Sequence, residues 1–147
     1  MIAAIALGVA LVSSDVGLSR PQLLEAKAAC RLLRKGKMSS GVAYSVSGAY
    51  ARGTHWTSFE IPACDEPVMA IVIFHSGAAA KISAWHTRYK EKCGADLIGD
   101  RFSGMFTGVF SRRKVRAPLV NLPPVMTNIF EISDFESEDL NAFPCPE

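Results

Sequence analysis

Two segments in which alternate positions are apolar residues or glycine most restrict what this chain can fold into. The first has Val42, Tyr44, Val46, Gly48 and Tyr50 at alternate positions, and the second has Phe102, Gly104, Phe106, Gly108 and Phe110. A period of two is typical of a β-strand with one buried face. Glycine inside a strand permits a bulge or a sharp bend. Both segments therefore predict strands of a strongly curved sheet.

Two helices and three further strands follow from periodicity and end signals. Ser19 and Gln22 form a capping-box pattern and Gly36 is a stop signal, which predicts a helix over residues 19–36 with Cys30 on its apolar side. A second helix is predicted from Ser76 or Gly77 to Gly94, since Ile82, Trp85, Tyr89 and Cys93 recur at helical spacing. Residues 57–61 and 125–132 predict strands. The seven apolar residues 68–74 predict a strand buried on both faces or central to a barrel.

The order of these elements indicates one mainly β domain with two helices. Three strands, a helix and two more strands, in that order, are typical of the five-stranded oligonucleotide/oligosaccharide-binding (OB) barrel. A length of 147 residues suits one such domain. We expect an OB-like barrel over residues 37–133, preceded by the N-terminal helix and followed by an acidic tail over residues 134–147. The alternative is an open α+β sheet with the helix on one face.

The beginning of the chain predicts export. Residues 1–14 carry no charged side chain, and the apolar stretch 2–12 has the length of the central region of a signal peptide. Small residues follow it, so cleavage is expected after Ser14, which places the mature protein in the periplasm or outside the cell. The positive residues that normally open a signal peptide are missing here. The alternative is a buried N-terminal strand or helix.

Four cysteines, Cys30, Cys64, Cys93 and Cys145, follow this segment. An even number suits disulfide bonds in an oxidising compartment, and four cysteines allow three pairings, which the residues alone leave open. No two cysteines form a CxxC pair and no two histidines are three to five residues apart, so we expect no metal site and no cofactor.

The charges are distributed unevenly. Residues 1–116 hold all 16 lysines and arginines and 8 of the acids, whereas residues 117–147 hold the other 6 acids. The basic cluster of Arg112, Arg113, Lys114 and Arg116 is expected in the loop between the last two strands, which OB folds use for ligands. It predicts an anionic partner: a polymer, a lipid headgroup or an acidic protein surface, with nucleic acid less favoured for an exported protein. A solvated loop is the simpler interpretation.

Motifs for catalysis are weak. The chain has no G-x-S-x-G sequence and no phosphate-binding glycine loop, so we assign no catalytic residue. Isolated histidines are most often structural. If one is functional, His55 beside Trp56 at a barrel rim is the candidate. We therefore expect a non-enzymatic binding or envelope-associated module. The alternatives are a small hydrolase whose site is not located and a cytosolic protein that binds single-stranded nucleic acid.

Part of the chain also resembles a known group of proteins. The residues on which the resemblance rests lie within residues 25–74. They are Ala29, Cys30, Gly41, Val42, Val46, Gly48, Gly53, His55, Ala63, Cys64 and Pro67. In these respects the chain resembles small exported bacterial proteins of unknown function, in which a cysteine-bearing helix precedes a barrel-like β domain. Trp56 stands where a glycine is expected. The resemblance implies export and a Cys30–Cys64 disulfide, and it implies no catalytic residues.

Overall fold

A computed structural model describes residues 20–53, 57–65, 68–96, 101–116 and 123–137, together with Cys145. These residues are mainly β, with two helices, as the sequence predicts. In chain order the elements are β1 (Gln22–Leu24), α1 (Ala26–Arg34), β2 (Ala43–Arg52), β3 (Thr57–Glu60), β4 (Met69–Phe74), α2 (Ser76–Cys93), β5 (Arg101–Val115) and β6 (Val125–Ser137). The predicted signal segment, residues 1–14, lies outside the described residues.

The six strands form one sheet in the order β1-β2-β3-β4-β6-β5, and β2 also pairs with β5. The pairings β2–β3, β3–β4, β5–β6 and β2–β5 are antiparallel, whereas β4 and β6 are parallel. The extra β2–β5 pairing closes five of the strands into a ring, which β1 flanks by pairing parallel to β2. The five strands expected from sequence are thus joined by one more.

The start of the predicted first helix differs from expectation. Gln22–Leu24 is a strand, and α1 begins only at Ala26. Residue Leu23 pairs with Ser45 of β2. The backbone groups of residues 22–24 therefore hydrogen-bond to another strand, and this non-local pairing prevails over the local capping pattern of Ser19 and Gln22. At the other end of the chain, residues 134–137 belong to β6 and not to the predicted acidic tail.

The second helix is confirmed, whereas burial of the third predicted strand on both faces, one of the two alternatives for it, is wrong. α2 runs from Ser76 to Cys93, and Gly94 caps it in the left-handed conformation with φ of 69°. In β4 only alternate residues are buried, and Met69, Ile71 and Ile73 are exposed. An apolar run shows that a strand can be buried but does not show whether anything covers its second face.

Aromatic rings fill the interior of the ring of strands. Phe110 and Phe130 stack with their centroids 3.9 Å apart, and Phe59 lies 4.8 Å from Phe130. Farther along the strands, Trp85 of α2 stacks on Phe102 at 4.4 Å. All five rings are almost completely buried. The phenylalanines that alternate with glycine in β5 therefore face the core.

Glycine is required where β2 passes the ring of Phe59. A Cβ atom at Gly48 would lie 2.2 Å from Cζ of Phe59 and 2.8 Å from the carbonyl oxygen of Glu60. Gly48 pairs with Gly104 of β5, where a Cβ would meet the carbonyl oxygen of Glu136 at 2.4 Å. Both positions therefore allow neighbouring groups to approach closer than any side chain would permit.

Two disulfides join the four cysteines. Cys30 of α1 is bonded to Cys64 with a Cα–Cα distance of 5.7 Å, which is the bond that the resemblance implies. Cys93 at the end of α2 is bonded to Cys145 with a Cα–Cα distance of 5.3 Å. Of the pairings that the sequence left open, the structure therefore has 30–64 with 93–145. The first bond fixes α1 next to the end of β3.

Candidate ligand-binding surface

The basic cluster predicted as a loop lies mostly on a strand. Arg112, Arg113 and Lys114 belong to β5, and Arg116 directly follows its last residue. The strand continues because β6 pairs with it as far as Val115. Successive residues of a strand point to opposite faces. Arg112 and Lys114 therefore share one face, while Arg113 lies on the other, so the structure separates residues that are adjacent in sequence.

On its own face, Arg113 forms an ion pair with Glu131 of β6. The second oxygen of this carboxylate is 3.7 Å from Nε2 of His75, the residue before α2. The charge of Arg113 is thus offset by a neighbour within the protein. Of the predicted binding residues on β5, Arg112 and Lys114 are the better candidates for an external ligand.

Arg112 lies against the C-terminal end of α1. A Cβ atom at Gly36 would be 2.6 Å from Nη1 of Arg112, so the guanidinium lies over this glycine. Gly36 has φ of 62° and ends the turn that follows the helix. The carbonyl groups at a helix C-terminus attract a cation, which favours this position of the side chain. The contact joins the basic end of β5 to α1.

α1 contributes a larger set of cations. Five exposed residues, which we call the basic side of α1, are Lys27, Arg31, Arg34, Lys35 and Lys37. Lys27, Arg31 and Arg34 line an open cavity of about 360 Å³ beside the Cys30–Cys64 bond, with Asp65 at its edge. Arg31 also lines a neighbouring groove of about 330 Å³ with Lys35 and Lys37. We group these residues with Arg112, which lies over Gly36, and with Lys114 on the same face of β5, and name the set the basic surface.

Several cations outside the basic surface are neutralised by ion pairs. Lys81 pairs with Asp134, and Lys90 with Asp96 at 3.2 Å. Arg101 pairs with the nearly buried Glu60 at 2.7 Å. Within the described residues, by contrast, no ion pair neutralises Lys27, Arg31, Lys35, Lys37, Arg112 or Lys114. Cations brought together in this way repel one another and attract anions.

Sequence reasoning did not identify the basic side of α1 as a candidate. The helix dipole favours cations at this end of the helix, so the sequence offers a structural reason for Arg31, Arg34 and Lys35 without any ligand. The spacing of Lys27, Arg31 and Arg34 at i, i+4 and i+7 was an available signal, because it puts the three on one helix face. That they line one cavity with Cys64, and that Arg112 lies over Gly36 beyond the end of this helix, depends on the fold. His55 and Trp56, the other predicted candidates, lie outside the described residues.

Other kinds of site are not found in the part of the chain that the structure describes. All four cysteines are disulfide-bonded, so none is a free thiol. Among the described residues there is no cluster of three or more histidine, cysteine, aspartate or glutamate side chains that could hold a metal ion. No described helix is long and apolar enough to span a membrane.

The fold alters the titration of His86, a residue of α2. Nη1 of Arg52 donates a hydrogen bond to Nδ1 of His86 at 3.0 Å. Arginine has no acceptor, so Nδ1 is unprotonated and the proton of the neutral ring is on Nε2. Partial burial, followed by the charge of Arg52, lowers the pKa of His86 from its ordinary value of 6.5, and Asp96 raises it to a lesser extent. The folded protein therefore favours the neutral ring.

This pKa shift predicts a loss of stability in mild acid. Above pH 6.5 the ring is neutral in both states, but below it the unfolded chain binds a proton that the folded protein disfavours. We expect the free energy of unfolding to fall as the pH falls below 6.5, and to fall less in His86→Asn, whose amide oxygen replaces Nδ1. Urea unfolding at pH 7.5 and 5.0 measures both. Equal pH dependence in wild type and His86→Asn would contradict the assignment.

Comparison with known proteins adds no assignment to this geometry. No protein-family model matches the chain, and no curated protein matches its sequence.

Proposed function

We propose that this chain is an exported, OB-like barrel protein that binds an anionic ligand through its basic surface. The ligand contacts are made by the basic side of α1 together with Arg112 and Lys114. The chain acts as a binding or envelope-associated module and not as an enzyme. Each of the three parts of this proposal, the barrel, the compartment and the ligand, has its own support.

The pairing order supports the barrel. Strands β2, β3, β4, β6 and β5 are joined in a ring, with the helix α2 between β4 and β5 in the chain. This is the element order that the sequence predicted for an OB barrel, and the ring has an aromatic interior. Gly48 and Gly104, which face each other across β2 and β5, permit the close approaches that a strongly bent sheet needs.

The two disulfides support the compartment. Disulfides persist in the periplasm and outside the cell, whereas thiols are kept reduced in the cytosol. Cys30–Cys64 and Cys93–Cys145 use all the cysteines of the chain. They are compatible with the export that the apolar segment 1–14 predicts.

The observation that carries the anionic ligand is the position of the Arg112 guanidinium over Gly36. It makes one surface of two basic segments that are far apart in the chain. Repulsion among these cations disfavours their assembly in the free protein, and an anionic ligand relieves it. The cavities beside Arg31 are wide enough for a phosphate, sulfate or carboxylate group to reach the cations.

We expect the double variant Arg31→Glu/Arg112→Glu to lose affinity for polyanions. Each reversal replaces an attraction with a repulsion at the centre of the surface, so we expect retention on a heparin resin to be at least about tenfold weaker at 0.1 M salt. The salt concentration at elution measures the change. Circular dichroism and thermal unfolding show whether the variant is folded.

The matched control is Arg88→Glu/Lys92→Glu on α2, which changes the net charge by the same amount. Trp85 of α2 stacks on Phe102, ten positions along β5 from Arg112, so the control lies on a helix that packs against the other end of this strand. Elution of the two folded double variants at the same salt concentration would reject a specific basic surface, because only net charge would then matter.

A further inference from the structure

The Cys30–Cys64 disulfide lines the open cavity of about 360 Å³ beside α1. Its two cysteines are not covered to the same extent. Cys30 is 6% exposed, whereas Cys64, in the segment that follows β3, is only half-buried. A small molecule that enters the cavity therefore reaches the bond from the Cys64 side.

Cations accompany the bond in this cavity. Four residues of α1 that line it recur at i, i+3, i+4 and i+7 and so share one face of the helix: Lys27, Cys30, Arg31 and Arg34. Lys27 and Arg31 are exposed, and neither forms an ion pair within the described residues. Asp65 is the one acid among the described residues that line the cavity. The disulfide therefore lies in a cavity with an excess of positive charge.

Positive charge beside a disulfide favours its attack by a thiolate in two ways. It attracts the attacking thiolate, and it attracts more strongly a thiolate whose molecule carries a second anionic group. It also stabilises the cysteine thiolate that leaves, and a stabilised thiolate leaves faster. A thiol that carries a cationic group is repelled from the same cavity. The cavity is thus expected to discriminate among thiols by their charge.

We propose that Cys30–Cys64 is an exchange site for small thiols that carry an anionic group such as a sulfonate or a carboxylate. The thiolate attacks Sγ of Cys64 and forms a mixed disulfide, and the sulfur of Cys30 leaves as a thiolate. A second thiolate attacks the mixed disulfide, which releases the small molecule as its own disulfide and leaves Cys64 as a thiolate. Two thiols have then been oxidised, the protein disulfide has gained two electrons, and the solvent protonates both cysteines. This reactivity goes beyond the proposed function and does not require a polyanionic ligand.

The experiment compares three thiols of similar size on the full, disulfide-bonded chain: mercaptoethanesulfonate, mercaptoethanol and cysteamine, which are anionic, neutral and cationic. Samples are quenched with acid, labelled with N-ethylmaleimide and digested, so that mass spectrometry follows the opening of each disulfide separately. Each rate is divided by the rate of the same thiol with the uncharged disulfide of mercaptoacetamide, which removes differences in intrinsic reactivity. At low salt we expect the normalised rate at Cys30–Cys64 to be at least about tenfold higher for the anionic thiol than for the cationic one. In about 0.5 M salt this ratio should fall below about threefold.

Two double variants assign the charge selectivity to the cavity. Lys27→Gln/Arg31→Gln removes two exposed cations that line it, so the ratio at low salt should fall below about threefold. Arg88→Gln/Lys92→Gln removes the same charge from exposed positions of α2 that do not line the cavity. This control should keep the ratio of wild type.

The inference would be overturned if none of the thiols opened Cys30–Cys64, or if all three opened it at equal normalised rates. A ratio that did not change with salt, or that was the same in Lys27→Gln/Arg31→Gln as in wild type, would also overturn it. The salt series uses wild type alone, so it decides the matter even where a variant does not fold. Retention on heparin tests the proposed function separately, and either result can fail without the other.

Discussion

Replacing Gly48 with alanine is expected to lower the free energy of unfolding by about 3 kcal/mol, the upper part of the range for overpacked cores. The new methyl group would lie 2.2 Å from the ring of Phe59 and 2.8 Å from the carbonyl oxygen of Glu60. The ring is fully buried and packs against Phe106 and Phe130, so it cannot turn away without displacing them. Urea unfolding followed by circular dichroism measures the effect.

Gly77→Ala is the matched control. Gly77 is in the first turn of α2, its φ is not positive, and no atom outside its chain neighbourhood lies within 4 Å of the added Cβ. We expect its stability to be unchanged or higher by up to about 1 kcal/mol, because alanine favours helix. If both alanine variants had the stability of wild type, the proposed contact between Gly48 and Phe59 would be refuted.

Removal of the Cys30–Cys64 bond is the second large effect that we expect. In Cys30→Ala/Cys64→Ala the unfolded chain regains the freedom of a 34-residue separation, which corresponds to about 4 kcal/mol in the chain-entropy model. The buried side of α1 is short, consisting of Ala29, Cys30 and Leu33. We therefore also expect the amides of α1 to exchange hydrogen faster, and heparin retention to weaken because the basic side of α1 is no longer held next to Arg112.

The control removes the other bond, in Cys93→Ala/Cys145→Ala. Its sequence separation of 52 predicts a similar loss of global stability, about 4 kcal/mol. Because this bond joins the end of α2, the amides of α1 should exchange more slowly than in Cys30→Ala/Cys64→Ala, and no faster than the loss of global stability requires. Equal exchange of α1 amides in the two double variants would show that Cys30–Cys64 does not hold α1 in place.

Elements with a strong local pattern were predictable. The alternation around Gly48 and Gly104 predicted β2 and β5, and Gly94 predicted the end of α2. A strand with one buried face shows itself in the alternation of neighbouring residues, and a left-handed helix cap shows itself in a single glycine. Both signals are local in the chain, so the sequence reveals them. β1 was not predictable in this way, because Gln22–Leu24 is a strand only through pairing with β2, some twenty residues later.

The candidate surface was predictable only in part. Arg112–Lys114 were identified from composition, but their division between two faces follows from the extension of β5 along β6. Spacing puts Lys27, Arg31 and Arg34 on one helix face, yet only the tertiary structure shows that Gly36 brings this helix to Arg112. Exposure of Met69, Ile71 and Ile73 likewise depends on the absence of a covering layer among the described residues, which an apolar run does not reveal.

The place of β6 between β4 and β5 has a consequence for the order of folding. A chain delivered N-terminus first, from a ribosome or through a membrane channel, presents β4 and β5 before the strand that joins them. Until β6 emerges, β4 has an unpaired edge made only of apolar residues, which is prone to aggregate. Cys30 and Cys64 can already be oxidised in this interval, whereas Cys93 must wait for Cys145. The first disulfide can therefore form while the sheet is still open, and the second can form only after β6 and Cys145 have arrived.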